Sequence, residues 1–96
     1  MKKSEYQPEK YNLDWQDYKG IPIKLILYRE PHYNALKAKR FLLGRTCTQN
    51  IWIPNKCLLP DGTLDPKQNH DWIFRKAWYQ NKLKYAGITI NPLHWR

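Results

Sequence analysis

The chain has 96 residues, a formal net charge of +9 and a hydrophobic fraction of 42%, with five Trp and seven Tyr. That length leaves room for one domain, spanning 1–96, with a core that buries roughly two-thirds of the unfolded surface, and excludes a second active domain. Its apolar runs are far shorter than the ~20 residues of a membrane-spanning helix, the N-terminus lacks a signal-peptide stretch, and two cysteines are too few for a disulfide framework, so a soluble, cytoplasmic protein without a membrane partner is expected.

Residues 1–19 are polar and carry Tyr6, Tyr11, Trp15 and Tyr18 without helical or strand periodicity. Disordered tails are poor in rings, so this segment reads as an aromatic N-terminal arm packed across a body of residues 20–96. Ile21 to Tyr28 reads as a strand with Ile21, Ile23, Leu25 and Leu27 on one face and Lys24 and Tyr28 on the other; Pro22 near its start is tolerated there. Arg29 to Asn34, with Pro31, supplies the following turn.

Leu36 to Thr46 is ambiguous. Asn34 can cap a helix that Gly44 ends, yet Lys37, Lys39, Phe41, Leu43 and Arg45 alternate like one face of a strand, and the alternation favours the strand. A polar turn over Thr46 to Asn50 and a strand over Asn50 to Pro54 then make an antiparallel hairpin. Pro54, Pro60 and Asp61-Gly62 break regularity, so residues 54–66 form a loop with room for one helical turn. Asn69 to Ala86 is the strongest helix, with Asn69 as N-cap, Asp71 in the first turn and Gly87 as the C-terminal stop. Ile88 to Ile90 add a short strand, and Trp95 docks in the tail. The expected fold is α+β: a small antiparallel sheet packed by one long C-terminal helix and wrapped by the arm.

Charge is unevenly placed. Residues 1–18 have three Lys against four acids, residues 19–58 eight basic residues against Glu30, and residues 59–96 six against three. A surplus this one-sided in the middle third favours an anionic partner, because self-repulsion otherwise costs stability.

Two constellations follow. On a helical wheel Phe74, Ala77, Trp78 and Tyr85 form a core arc with Ile73 at its margin. Trp72, Tyr79, Leu83 and Ala86 form a second arc bordered by Arg75, Lys82 and Lys76, which either binds a partner or lies beneath the N-terminal arm. On the sheet, Lys37, Lys39, Phe41 and Arg45 share a face to which Trp52 can add a ring, although a packed Trp52 and a buried Phe41 are the simpler expectation. Rings stack bases while Lys and Arg attract phosphate, so these surfaces point to non-enzymatic binding of RNA or single-stranded DNA. Lys37, Lys39, Arg40 and Arg45 would engage phosphates; Trp72 and Tyr79, with Arg75, Lys76 and Lys82 around them, would stack bases.

Asn50 to Lys56, reading Asn-Ile-Trp-Ile-Pro-Asn-Lys, resembles an apolar-Trp-Ile-Pro-x-Lys strand end found in small proteins of phages and other mobile elements. The resemblance covers seven of 96 positions and implies a short β-structure and a mobile-element origin. The rival reading is accordingly an interaction protein that inhibits or adapts a larger host protein or ribonucleoprotein complex, using Trp72, Tyr79 and Arg75 as its anchors. No cofactor is implied. Cys47, Cys57, His70 and His94 lack the close pairs of a zinc site, the four glycines are isolated, and His70-Asp71 reads as a helix first turn rather than a catalytic dyad.

Overall fold

The computed structural model describes residues 8–27, 37–45 and 49–96. The turn expected at Arg29 to Asn34, Tyr6, His32 and Cys47 lie outside the described residues. Four strands, β1 (Gln16–Tyr18), β2 (Ile21–Ile26), β3 (Ala38–Leu43) and β4 (Gln49–Pro54), form one antiparallel sheet in the order β1-β2-β3-β4. Two helices follow, α1 (Asp71–Tyr79) and α2 (Lys82–Tyr85). The α+β expectation and the β3–β4 hairpin therefore hold. Among the described residues no helix is long and apolar enough to cross a membrane.

Strand register sorts the side chains. Ile23 pairs with Leu43, Leu25 with Phe41, and Phe41 with Ile51, so β2, β3 and β4 send Ile21, Ile23, Leu25, Phe41, Leu43, Ile51 and Ile53 to one face. All seven are buried, together with Ile73, Phe74, Ala77, Leu83 and Ala86 from the helical side. Because side chains alternate along a strand, the neighbours Pro22, Lys24, Ile26, Arg40, Leu42, Asn50 and Trp52 occupy the other face.

The segment expected as an arm instead contributes to the body. Gln16 and Tyr18 pair with Ile23 and Ile21, making β1 an edge strand. Its two-residue connection to β2 places Lys19 at φ 52° and Gly20 at φ 93°, the positive angles that match a hairpin to the twist of its strands. Upstream, Tyr11 and Leu13 pack against the core, and Asn12 N–H donates to the Asp61 carbonyl at 2.8 Å.

The expected single long helix is broken. Asn81 adopts φ 62° between α1 and α2; Asn tolerates this left-handed conformation better than most residues, so it stops α1 without a glycine. The chain then restarts at a new phase. Leu83 and Ala86, expected on the outer arc, turn into the core, while Tyr85, expected inside, is 63% exposed. Gly87 at φ 76° ends α2 as expected. Ile88 to Ile90 do not form the expected strand but pack irregularly against the core. The loop carries its helical turn at Asn55–Cys57.

Candidate nucleic-acid interface

Trp52 and Trp72 face a common groove where the edge strand β4 meets α1. In β4 the buried neighbours Ile51 and Ile53 force Trp52 outward, leaving it 44% exposed. Trp72 is the second residue of α1, and its neighbours Asp71, Ile73 and Phe74 point inward, so its ring is 48% exposed. The groove is about 290 Å³, with walls that include Ala38, Trp52, Trp72, Lys76, Gln80 and Lys82. Among the described residues no acidic side chain lines it. Among the described residues neither Lys76 nor Lys82 has an ion-pair partner.

Tyr79 extends this surface. Seven residues beyond Trp72, it returns to nearly the same side of the helix at ~100° per residue, and it is 73% exposed. Among the described residues both rings stay exposed. Trp72, Lys76 and Lys82 line the groove, and Tyr79 lies beyond it on the same side of α1.

Arg75 does not join them. Its Nε and Nη2 donate to the Pro92 and Trp95 carbonyls at 3.2 and 2.8 Å, and Nη2 lies 3.9 Å from Asp71 Oδ2. These bonds fasten the C-terminal tail. Trp95 docks as expected, edge-on to Tyr18 and Phe74 at 5.5 and 6.1 Å between ring centroids.

The sheet constellation is rearranged. Phe41 is fully buried, and Trp52 pairs with Arg40 rather than sharing the face of Phe41. Lys39 points with Phe41 and is half-buried. Its Nζ donates to Asn55 Oδ1 at 3.2 Å beside the Tyr11 ring, and burial lowers its pKa. It is therefore a poor phosphate ligand. Lys37 is exposed and lines a second hollow with Pro54, Asn55 and Lys56, adjoining the groove through Pro54. Arg40 lies on the outer face of the sheet. Arg45 is exposed, with its guanidinium carbon 4.9 Å from the centre of the Trp15 ring.

The sequence favours a packed Trp52, whereas the ring is 44% exposed. The signal was present for Trp52, because Ile-Trp-Ile in a strand whose isoleucines face a core must turn the indole outward.

The start of α1 is a separate, sealed cluster. His70, not the expected Asn69, is the N-cap of α1, and Asp71 stands in the first turn as expected; Asn69 Oδ1 accepts the Asp71 N–H at 2.7 Å. Tyr18 OH donates to Asp71 Oδ1 at 2.5 Å, and Lys19 Nζ reaches Oδ1 and Oδ2 at 2.9 and 3.1 Å. Burial opposes the Asp71 charge, but the bonds from Tyr18, Lys19 and the Asn69–Asp71 contact outweigh it and hold the carboxyl below its ordinary range. Burial, reinforced by the bond to Asp71, pushes the Tyr18 phenol up to about 12. His70 Nε2 donates to the Cys57 carbonyl at 2.9 Å, so this imidazole is structural. Among the described residues no group of three or more His, Cys, Asp or Glu could hold a metal ion. Comparison of the chain with protein-family models, curated proteins and solved structures finds no match.

Proposed function

We propose that this protein binds single-stranded nucleic acid, RNA or DNA, without catalysis, and that the groove between Trp52 and Trp72 is where it holds a base. The observation that carries the reading is the pairing of two half-exposed indoles across a groove whose charged side chains, among the described residues, are both Lys. A base inserted there can stack on an indole face while Lys76 and Lys82 meet the flanking phosphates. Bases within a duplex are already stacked on each other, so the groove favours single strands. Sequence preference is modest, because every base has a stacking face.

The test is fluorescence anisotropy of labelled oligonucleotides at stepped salt, with indole quenching as a second readout. Binding should favour single strands over duplex and weaken steeply with salt. Trp52→Ala and Trp72→Ala should each cost about 1–3 kcal/mol of binding, the range for one stacked base. Absence of binding to any oligonucleotide at low ionic strength would reject the reading and favour a protein partner.

A further inference from the structure

The groove opens at Trp52 onto the outer face of the sheet, and the register carries positive side chains from there to the opposite edge. Trp52 on β4 pairs with Arg40 on β3, and Arg40 with Ile26 on β2. Lys24, two residues before Ile26 and on the same face, has its Nζ 5.7 Å from the centre of the Trp15 ring, which Arg45 also approaches at 4.9 Å. The acid placed on this face by the register is Asp17, opposite Pro22, and its carboxylate accepts the Gly20 N–H at 3.0 Å. Among the described residues both helices pack against the opposite, apolar face.

We infer that this outer face is the second half of the same binding site: a single strand with one base in the Trp52–Trp72 groove runs diagonally over Arg40 and Lys24 to Trp15 and Arg45. The inference rests on the proposed function and adds the direction and length of the bound strand. Charge complementarity selects the occupant, since three cations and two indoles on a sheet match a chain of phosphates and bases better than an apolar helix or strand. With strands ~4.8 Å apart and ~3.3 Å per residue, the three-strand, two-residue offset between Trp52 and Trp15 spans about 16 Å. At a stacked rise of ~3.4 Å per nucleotide, about five nucleotides reach from one indole to the other.

The experiment titrates the full chain with oligothymidylates and oligouridylates of two to about twenty nucleotides, a range bracketing the ~4–16 nucleotides of single-strand binding domains. Affinity should rise with length and level off once about five nucleotides bridge the two ends. Trp15→Ala should remove that rise, weakening long oligomers by about tenfold or more while leaving di- and trinucleotides unchanged. Lys24→Gln with Arg40→Gln, which preserves side-chain bulk, should act in the same direction and guards against a folding defect in Trp15→Ala. If long and short oligomers bind wild type equally, or if these variants keep the full length dependence, the outer face is not part of the site and the groove stands alone. If wild type binds no oligomer of any length, the groove reading fails too. Tight, length-independent binding of an acidic peptide to this face would likewise overturn the inference.

Discussion

The sealed cluster at the start of α1 and the open groove beside it are made from the same kinds of residue, yet they do opposite things. Around Asp71 the Tyr18 hydroxyl and the cation Lys19 converge on a carboxylate whose side chain is 3% exposed, Arg75 donates to main-chain carbonyls, and the Trp95 ring packs edge-on to Tyr18. Across the groove, Trp52, Trp72, Lys76 and Lys82 meet no acid among the described residues. On the proposed function, rings and positive charge serve as a binding surface only where the fold withholds an internal acceptor. Composition alone cannot separate the two cases, because each region contributes to the same net charge and aromatic count.

The harshest way to break the comparison is to remove the ring on which the sealed cluster is built. Phe74 is fully buried and stacks on Tyr18 at 4.8 Å with planes 6° apart. Phe74→Ala should cost about 3–5 kcal/mol of stability, measured by denaturant unfolding. A much smaller cost would mean that the cluster is a surface assembly and the contrast with the groove is false.

Next in size is Asp71→Asn, which keeps an acceptor for Tyr18 but takes the charge partner from Lys19; a loss of about 1–3 kcal/mol is expected. Its pH signature is specific. A carboxyl held low in the folded state stabilises fully above its unfolded pKa of ~3.9, and this contribution is lost as pH falls through the folded value. Unfolding followed from neutral pH into acid should therefore show a shallower decline in Asp71→Asn than in wild type. It should not be flat, because hydrogen bonds also lower the exposed Asp61 and Asp65 carboxyls. At the alkaline end the sign reverses. Folding favours the neutral Tyr18 phenol, so stability should decline as pH rises from ~10, the ordinary tyrosine value, towards the folded value of about 12. Tyr18→Phe should lack that alkaline decline.

What the sequence disclosed follows the range of the forces involved. The β2 alternation, the turn signals after Pro54 and Gly87 are set by neighbours within a few residues and are legible; the start of α1 is legible to within one residue, with His70 as N-cap in place of the expected Asn69. The alternation of Lys37, Lys39, Phe41 and Leu43 discloses the strand and its buried Phe41, but not that Lys39 is drawn in beside it. Phe41 and Leu43 meet Leu25, Ile23 and Ile51 across the register, and that apolar burial outweighs drawing in Lys39, whose amine escapes to Asn55. Arg75 lay on the right side of the wheel for the groove, yet the chain returns through Pro92 and Trp95 to occupy it, which no local pattern announces. Asn81 is hidden because the apolar phase shifts there, from Phe74 and Ala77 to Leu83 and Ala86, and a single wheel reads that shift as a second face.

Arg75→Ala sharpens this last point. Losing two hydrogen bonds from a charged donor should destabilise the fold by about 1–3 kcal/mol, while oligonucleotide affinity under fully folded conditions stays near wild type. Trp72→Ala and Tyr79→Ala should do the reverse, changing stability by no more than ~0.5 kcal/mol, as expected for surface substitutions, while weakening binding. If Arg75→Ala weakens binding as strongly as Trp72→Ala, the tail-fastening arginine belongs to the interface after all.

The finest distinction is between the cations of the two regions, and salt dependence resolves it. Each phosphate contact in a single-strand complex adds about 0.7 to the slope of log affinity against log salt. Lys76→Gln and Lys82→Gln should each lower that slope by about this amount and leave unfolding nearly unchanged, because neither has an ion-pair partner among the described residues. Lys19→Gln removes the same charge from the protein, but its amine is engaged by Asp71 and lies 4.9 Å from the centre of the Trp95 ring. It should therefore lower stability and leave the slope where it was. Lys84→Gln, on an exposed position of α2 outside the groove lining, controls for net charge alone. Should all four substitutions shift the slope equally, binding senses only the overall charge of the protein, and the groove lysines hold no privileged contact with phosphate.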